Sequence, residues 1–221
     1  MLKILFISFL TLFSLNVSAQ YGDTTIVVAK TSTHVNIPGT KLYVIIPEGF
    51  KIATNFLGLQ KDFDTGFQVF DLDGGDFYSN GRNISRETFE EKGVKVLEYR
   101  ELTLGGYPAK YVEMEAGDHL VQNLTFGDST FSSTINAASL IADVQATADL
   151  KAALLSIYYE KATVIDPFKI APFELDDSNS LYKFAKYASN MYMYSFNGEY
   201  KESYGTAPLF LLSVLPNDGT H

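Results

Sequence analysis

Three consecutive runs of alternating apolar and polar residues restrict most strongly what this chain can fold into. They cover residues 94–104, 109–115 and 120–126. Alternation with a period of two puts the apolar side chains on one face of an extended strand. Only short glycine-containing breaks, at residues 105–108 and 116–118, separate the runs. Because such short breaks join antiparallel neighbours, the pattern predicts a meander of antiparallel strands with one buried face.

Strand signals also occur before and after this meander. They are β-branched and aromatic runs bounded by turn residues. Asn197-Gly198 is the strongest two-residue hairpin signal in the chain, and Ser189-Asn190 separates two strongly aromatic runs. The further strands are predicted at residues 25–29, 41–46, 67–73, 181–187, 191–196 and 208–215.

Two helices are expected among these strands. Residues 147–159 carry apolar side chains at helical spacing. Residues 137–144 are also compatible with a helix, so the start of this helix stays open. A shorter helix should be capped by Ser85, run through residues 89–92 and end at Gly93. The apolar positions of the longer helix are Leu150, Leu154, Ile157 and Tyr158.

The composition excludes several classes of function. Of the 221 residues, 46% are hydrophobic and none is cysteine, which excludes disulfide scaffolds, thiolate metal sites and thiol catalysis. The net charge of −9 should repel phosphate backbones and anionic lipid. We therefore expect no nucleic-acid partner.

The N-terminus has the pattern of a secretory signal peptide. Lys3 precedes an apolar run over residues 4–15, and Val17 and Ala19 place small residues at a cleavage site. An uncleaved anchor is the alternative, but the run is short of the ~20 residues that span a bilayer. We expect cleavage after Ala19, no stable membrane anchor afterwards, and a periplasmic or secreted bacterial protein. Residues 20–221 should then form a single α+β domain.

The order of elements and four short motifs resemble the PsbP-like superfamily. The motifs are Ile-Pro-Glu-Gly-Phe at 46–50, Lys-Gly at 92–93, Leu-Gly-Gly-Tyr-Pro-Ala at 104–109 and Tyr-Lys-Phe-Ala at 182–185. The resemblance covers roughly residues 35–200. It implies an antiparallel sheet flanked by helices, as an α/β/α sandwich. Characterised members are mostly non-catalytic, which implies binding or assembly work, and no functional residue is carried over.

An acidic loop is the one candidate metal site. Asp71, Asp73 and Asp76 could supply oxygen ligands to calcium from a glycine-rich turn. The late glutamate of a complete calcium loop is missing, and aspartate and glycine also suit turns on backbone grounds. We therefore expect an ordinary turn, with calcium as the weaker alternative, and no cofactor.

Catalytic signatures are lacking. The histidines His34, His119 and His221 are at least 85 residues apart in sequence, whereas zinc sites usually place two ligands close together. No nucleophile elbow, zinc-protease motif or phosphate-binding glycine loop occurs. The chain is therefore predicted not to be an enzyme.

Aromatic residues at period two mark the C-terminal strands. One face should carry all of them, either as core beneath a helix or as a face open to a ligand or partner. The leading hypothesis is a non-catalytic exported protein that binds another envelope protein or assists an assembly. The alternative is a carrier of a small apolar or aromatic ligand between sheet and helix. The aromatic residues are Tyr182, Phe184, Tyr192, Tyr194 and Phe196.

Overall fold

The computed structural model describes residues 24–73, 75–188, 190–201 and 208–213. The signal peptide predicted at residues 1–19 lies outside them. The fold is α+β and rich in sheet, with 44% strand and 13% helix. In the described part of the chain, no helix is long and apolar enough to cross a membrane.

Fourteen strands, three α-helices and one short 3₁₀ helix (Pro167–Lys169) are formed by the described residues. In chain order the strands are β1 (Thr24–Ile26), β2 (His34–Asn36), β3 (Leu42–Ile45), β4 (Lys51–Ile52), β5 (Gly58–Gln60), β6 (Gly66–Asp73), β7 (Lys95–Leu104), β8 (Tyr107–Ala116), β9 (His119–Gly127), β10 (Phe131–Leu140), β11 (Tyr158–Tyr159), β12 (Tyr182–Ala188), β13 (Met191–Phe196) and β14 (Leu209–Ser213). The helices are α1 (Phe77–Asn80), α2 (Arg86–Glu90) and α3 (Val144–Leu155).

The strands form three sheets. The largest has eight strands in the order β1-β7-β8-β9-β10-β6-β5-β4, and the smaller two are β11-β3-β2 and β12-β13-β14. Strands β7, β8 and β9 pair antiparallel in sequence order, which confirms the predicted meander. At one edge β1 adds in parallel to β7, with Thr24 opposite Leu102.

Strand β10 was not predicted, and it decides the start of the long helix that the sequence leaves open. Residues 137–144 were compatible with a helix, but Ala137–Leu140 complete β10, which lies between β9 and β6. The serine and alanine residues of β10 have little intrinsic preference for a strand. The segment is a strand because it pairs with β6 on one side and β9 on the other. Helix α3 therefore begins only at Val144, after the side chain of Asp143 accepts a hydrogen bond from the backbone N–H of Ala146.

The ends of both predicted helices are set by local capping and pairing. The side chain of Ser85 accepts a hydrogen bond from the N–H of Thr88, which confirms the predicted start of the short helix α2. The helix ends at Glu90 rather than at Lys92, and Gly93, with a φ of 79°, lies in the turn beyond it. Helix α3 ends at Leu155 rather than continuing to 159, because Tyr158 and Tyr159 pair with β3 as strand β11.

One face of the eight-stranded sheet forms the core. Leu150 and Leu154 of α3 pack there together with Leu42 and Val44 of β3. At the end of this layer an aromatic cluster closes the core, in which Tyr159 stacks on Phe131 with ring centroids 3.9 Å apart. The other sheet residues of this core include Val69, Leu102, Leu104, Tyr111, Leu124, Phe126 and Ile135.

The opposite face of the sheet carries the segment that contains α1 and α2. Strand register turns Tyr99 and Lys110 to this face, away from their core-facing neighbours. The Tyr99 hydroxyl donates to the carbonyl of Ile84 at 3.2 Å, and the Lys110 ammonium donates to the carbonyls of Gly81 and Ile84 at 3.0 Å. Helices therefore lie on both faces of the large sheet.

The core packing of α3 can be tested with two substitutions in the same helix. Leu154 is fully buried, so Leu154→Ala should lower the free energy of unfolding by about 2–5 kcal/mol through lost packing and a cavity. Val144→Ala is the matched control, since Val144 is 74% exposed, and should change it by less than about 0.5 kcal/mol. Urea unfolding measures both. Equal effects would contradict this orientation of α3.

Candidate functional site

The aromatic residues of the C-terminal sheet divide into a covered part and an open part. Tyr192 and Tyr194 are buried. They are covered by the segment that follows β11, and not by helix α3. The Tyr192 ring lies 4.9 Å from that of Phe173, and its hydroxyl donates to the carbonyl of Pro167 at 2.9 Å. Phe196 is exposed at the end of β13. The buried tyrosines therefore form a packed layer, and its cover is not α3 but a segment that contains a short 3₁₀ helix, Pro167–Lys169.

Strand β14 presents a row of exposed apolar side chains at a sheet edge. Leu209, Phe210 and Leu211 are 37%, 43% and 54% exposed. The strand pairs with β13 on one side and is the last strand of its sheet among the described residues. No charged residue occurs within Leu209–Ser213, although edge strands usually carry charges that discourage pairing with other chains.

A depression of about 410 Å³ opens beside this edge. The rings of Tyr182, Tyr194 and Phe210 line it, and Asp176 and Asp177 stand at its rim. The carboxylate of Asp176 accepts hydrogen bonds from Ser178, which hold its pKa below the usual range. The depression therefore combines aromatic walls with an acidic rim.

A second cavity, of about 430 Å³, lies between the eight-stranded sheet and the C-terminal sheet. Asp71 of β6 reaches it and is only 7% exposed. The hydroxyl of Ser133 on the neighbouring strand donates to the Asp71 carboxylate at 2.5 Å. Phe184 and Tyr187 of β12 form another wall. Polar and apolar groups therefore meet in one half-open space.

The described aspartates of the acidic loop that was considered for calcium have separate structural roles. Asp71 faces the cavity between the sheets. Asp76 caps α1 by accepting from the N–H of Tyr78 at 3.0 Å and the hydroxyl of Ser79 at 2.6 Å, which lowers its pKa. The side chain of Asp73 lies outside the described residues. Across the described chain, no group of three or more histidine, aspartate or glutamate side chains is arranged to hold a metal.

The two described histidines are far from either cavity's lining. One ring nitrogen of His34 lies 2.8 Å from the Thr31 hydroxyl and the other 2.9 Å from the carbonyl of Ser156. His119 lies 2.7 Å from the carboxylate of Asp118. His221 lies outside the described residues. These contacts hold the two rings at turns and strand ends.

Sequence reasoning missed a charged cluster beside α3. Lys151 lies 2.5 Å from a carboxylate oxygen of Glu98 and 3.5 Å from one of Glu113. Arg100 lies 2.7 Å from the other oxygen of Glu98. Burial and a 2.8 Å hydrogen bond to Glu113 raise the pKa of the Tyr111 hydroxyl. The cluster could not be predicted from the sequence, because it depends on a register shift in β7 that brings Glu98 opposite Glu113.

No family model matches this chain, and comparison with curated proteins finds no match. Among solved structures, it is similar to the cyanobacterial PsbP (CyanoP) of Synechocystis sp. PCC 6803, determined in solution. The sequence identity is 9% and the TM-score is 0.40, over 59% of this chain and 95% of that one. This is a weak structural similarity to the PsbP fold, and no residue role is taken from it.

The charged cluster predicts that Lys151 stabilises the protein more than the exposed Lys95 does. Lys151→Met leaves Glu98 and Glu113 facing each other without their shared cation and should lower the free energy of unfolding by about 1–2 kcal/mol. Lys95→Met removes an exposed pair with Glu115 on the same two strands and should cost less than about 0.5 kcal/mol. Urea unfolding of both variants checks this. A larger loss for Lys95→Met would contradict the assignment.

Proposed function

We propose that this chain is a non-catalytic exported protein that binds an extended segment of another polypeptide along β14. The observation that carries the proposal is the row of exposed apolar side chains, Leu209 to Leu211, on an edge strand without charges. An added strand would hydrogen-bond to the outer edge of β14 and cover these side chains on both faces. A monomer that hides its edges would place charged residues there instead.

The chemistry beside the edge supports a basic residue in the bound segment. A strand added next to β14 would direct alternate side chains onto the face that carries Phe210 and the depression. Tyr182 and the exposed Phe210 offer ring faces there. Asp176 offers a carboxylate, whereas that of Asp177 already lies 3.8 Å from the ammonium of Lys183. A lysine or arginine side chain suits both groups, by cation–π contact and by charge.

A second copy of the chain is a poorer occupant of this edge. The net charge of −9 makes two copies repel each other. An antiparallel pairing of two β14 strands would also join the C-terminal sheets of both copies into one sheet. The acidic rims of both copies would then lie on that sheet. A partner segment with apolar and basic residues meets neither difficulty.

Export, the non-catalytic role and the sandwich architecture are parts of the same proposal. Export is supported by the signal-peptide pattern of residues 1–19. A non-catalytic role is supported by the charged cluster, where the carboxylates of Glu98 and Glu113 are paired with two cations, Lys151 and Arg100. The α/β/α sandwich is supported by α3 on one face of the large sheet and α1 and α2 on the other.

Site-specific photo-cross-linking in the native envelope tests the binding edge. With p-benzoylphenylalanine in place of Leu211, illumination should produce one discrete adduct with a different polypeptide. The same probe in place of Val144, which is also exposed but lies on α3, should produce none. In the Leu211 probe protein, Leu209→Asp should reduce the adduct about tenfold or more, because a charge would be buried in the added strand.

Matched changes separate this edge from general surface effects. Val35→Asp also introduces a charge at an exposed apolar strand position and should leave the adduct unchanged. Asp176→Asn should weaken it and make it less sensitive to salt. An adduct only with a second copy of the chain, or equal adducts from the Leu211 and Val144 probes, would overturn the proposal.

A further inference from the structure

The two faces of strand β14 differ in chemistry. Its register with β13 places Phe210 opposite the buried Tyr194, and these two residues mark the tyrosine face of the C-terminal sheet. Leu209 and Leu211 alternate with Phe210 and therefore lie on the opposite face, the leucine face, where Leu211 is opposite Met193. A segment added to this edge therefore meets a different surface on each of its own two faces.

The leucine face is aliphatic along the edge. Leu209 and Leu211 are both exposed there, and β13 continues the face with Met191, which is 42% exposed. The charged residues that the strands place on this face are Lys183 and Lys186 of β12. Since β12 would lie three strand spacings from an added strand, these lysines are about 14 Å from its line. Aliphatic side chains of a bound segment would therefore bury aliphatic surface on this side.

The tyrosine face offers its acid at one position of the edge. The depression beside Phe210 has the carboxylate of Asp176 at its rim and the ring of Tyr182 in its wall. Leu212, the next residue of β14 on this face, is opposite Tyr192 and does not line the depression. One residue of an added strand, the one beside Phe210, therefore faces both an exposed ring and a carboxylate.

We propose that β14 selects a three-residue core in the segment that it binds, in the order aliphatic, basic, aliphatic. The basic side chain lies beside Phe210, where its cation contacts the ring and pairs with Asp176. The two aliphatic residues flank it in sequence and therefore point to the leucine face, beside Leu209 and Leu211. This selection rests on the proposed binding along β14 and specifies the class of segment.

The order of the core is the same when it is read in either chain direction. An added strand presents alternate side chains to the two faces whether it runs parallel or antiparallel to β14. The selection therefore does not depend on the direction in which the segment binds.

Fluorescence anisotropy of the purified protein with three seven-residue peptides tests this selection. Each peptide has a dye at its N-terminus and two threonines on either side of the core, since threonine favours extended strands. The cores are valine-lysine-valine, valine-glutamate-valine and serine-lysine-serine. The first should bind about tenfold more tightly than either comparator, because the second core opposes a carboxylate to Asp176 and the third buries little aliphatic surface.

Single substitutions assign each preference to one face of the edge. Leu211→Ser should reduce the preference for valine over serine to less than about threefold and leave the preference for lysine over glutamate unchanged. Asp176→Asn should do the reverse, and added salt should weaken the preference for lysine in the unsubstituted protein. Val35→Ser removes an exposed aliphatic side chain from a strand of another sheet and should alter neither preference.

Equal affinity for the three peptides would contradict this selection, as would no saturable binding of the valine-lysine-valine peptide up to about 1 mM. Preferences that stay the same in folded Leu211→Ser and Asp176→Asn proteins would contradict it as well. Cross-linking at Leu211 in the envelope is a separate measurement. A discrete adduct without peptide selectivity leaves the binding edge in place and removes the three-residue core. Selective peptide binding without an adduct supports the core and removes the envelope partner.

Discussion

The arrangement of the molecule depends on the burial of one face of the eight-stranded sheet. Tyr159 stacks on Phe131 of β10 at 3.9 Å and fixes the chain just after α3 against that face. From there the backbone bond from Glu160 to Lys41 directs the next segment over the sheet edge. The hydroxyl of Tyr192 then binds the carbonyl of Pro167 in that segment. These three contacts together lead the chain from the core of the large sheet to the C-terminal sheet.

Polar groups on the core face occur where this burial ends. At one end Asp71 meets Ser133, and at the other Glu98 and Glu113 share Lys151. Charges inside a core would cost several kcal/mol each unless paired. Both groups are paired, but of the two it is the Asp71 end that borders a cavity. The two ends therefore differ in kind: the charged cluster ties helix to sheet, while the Asp71 end lies beside open space between two sheets.

Local pattern was enough to predict much of the sheet. Alternation identified the strands of the meander, and Ser85 marked the start of the short helix because capping is a local interaction. The end of that helix, at Glu90, comes before the predicted Gly93. Asn197 and Gly198 do adopt positive φ values of 60° and 76°, yet no described strand follows them at once. The Asn-Gly pattern therefore predicted the backbone conformation of the turn correctly, but it gave no information on strand pairing.

What could not be predicted depends on contacts between distant residues. Strand β10 is made a strand by β6 and β9 rather than by its own composition. The charged cluster needs the register shift between Val96 and Glu98. Both cavities require the segment after β11 or the C-terminal sheet to be placed in three dimensions. Periodicity located the aromatic residues correctly, but it contained no information on which element would cover them.

The cavity and the edge proposed for binding are connected by aromatic contacts. Tyr187, which lines the cavity, contacts Tyr192 with ring centroids 5.0 Å apart. Tyr194, two residues further along β13, contacts Phe210 of β14 at 5.6 Å. Because packed interiors have little free space, these rings hold β12, β13 and β14 in one layer. The wall of the cavity and the edge strand are therefore parts of the same packed sheet.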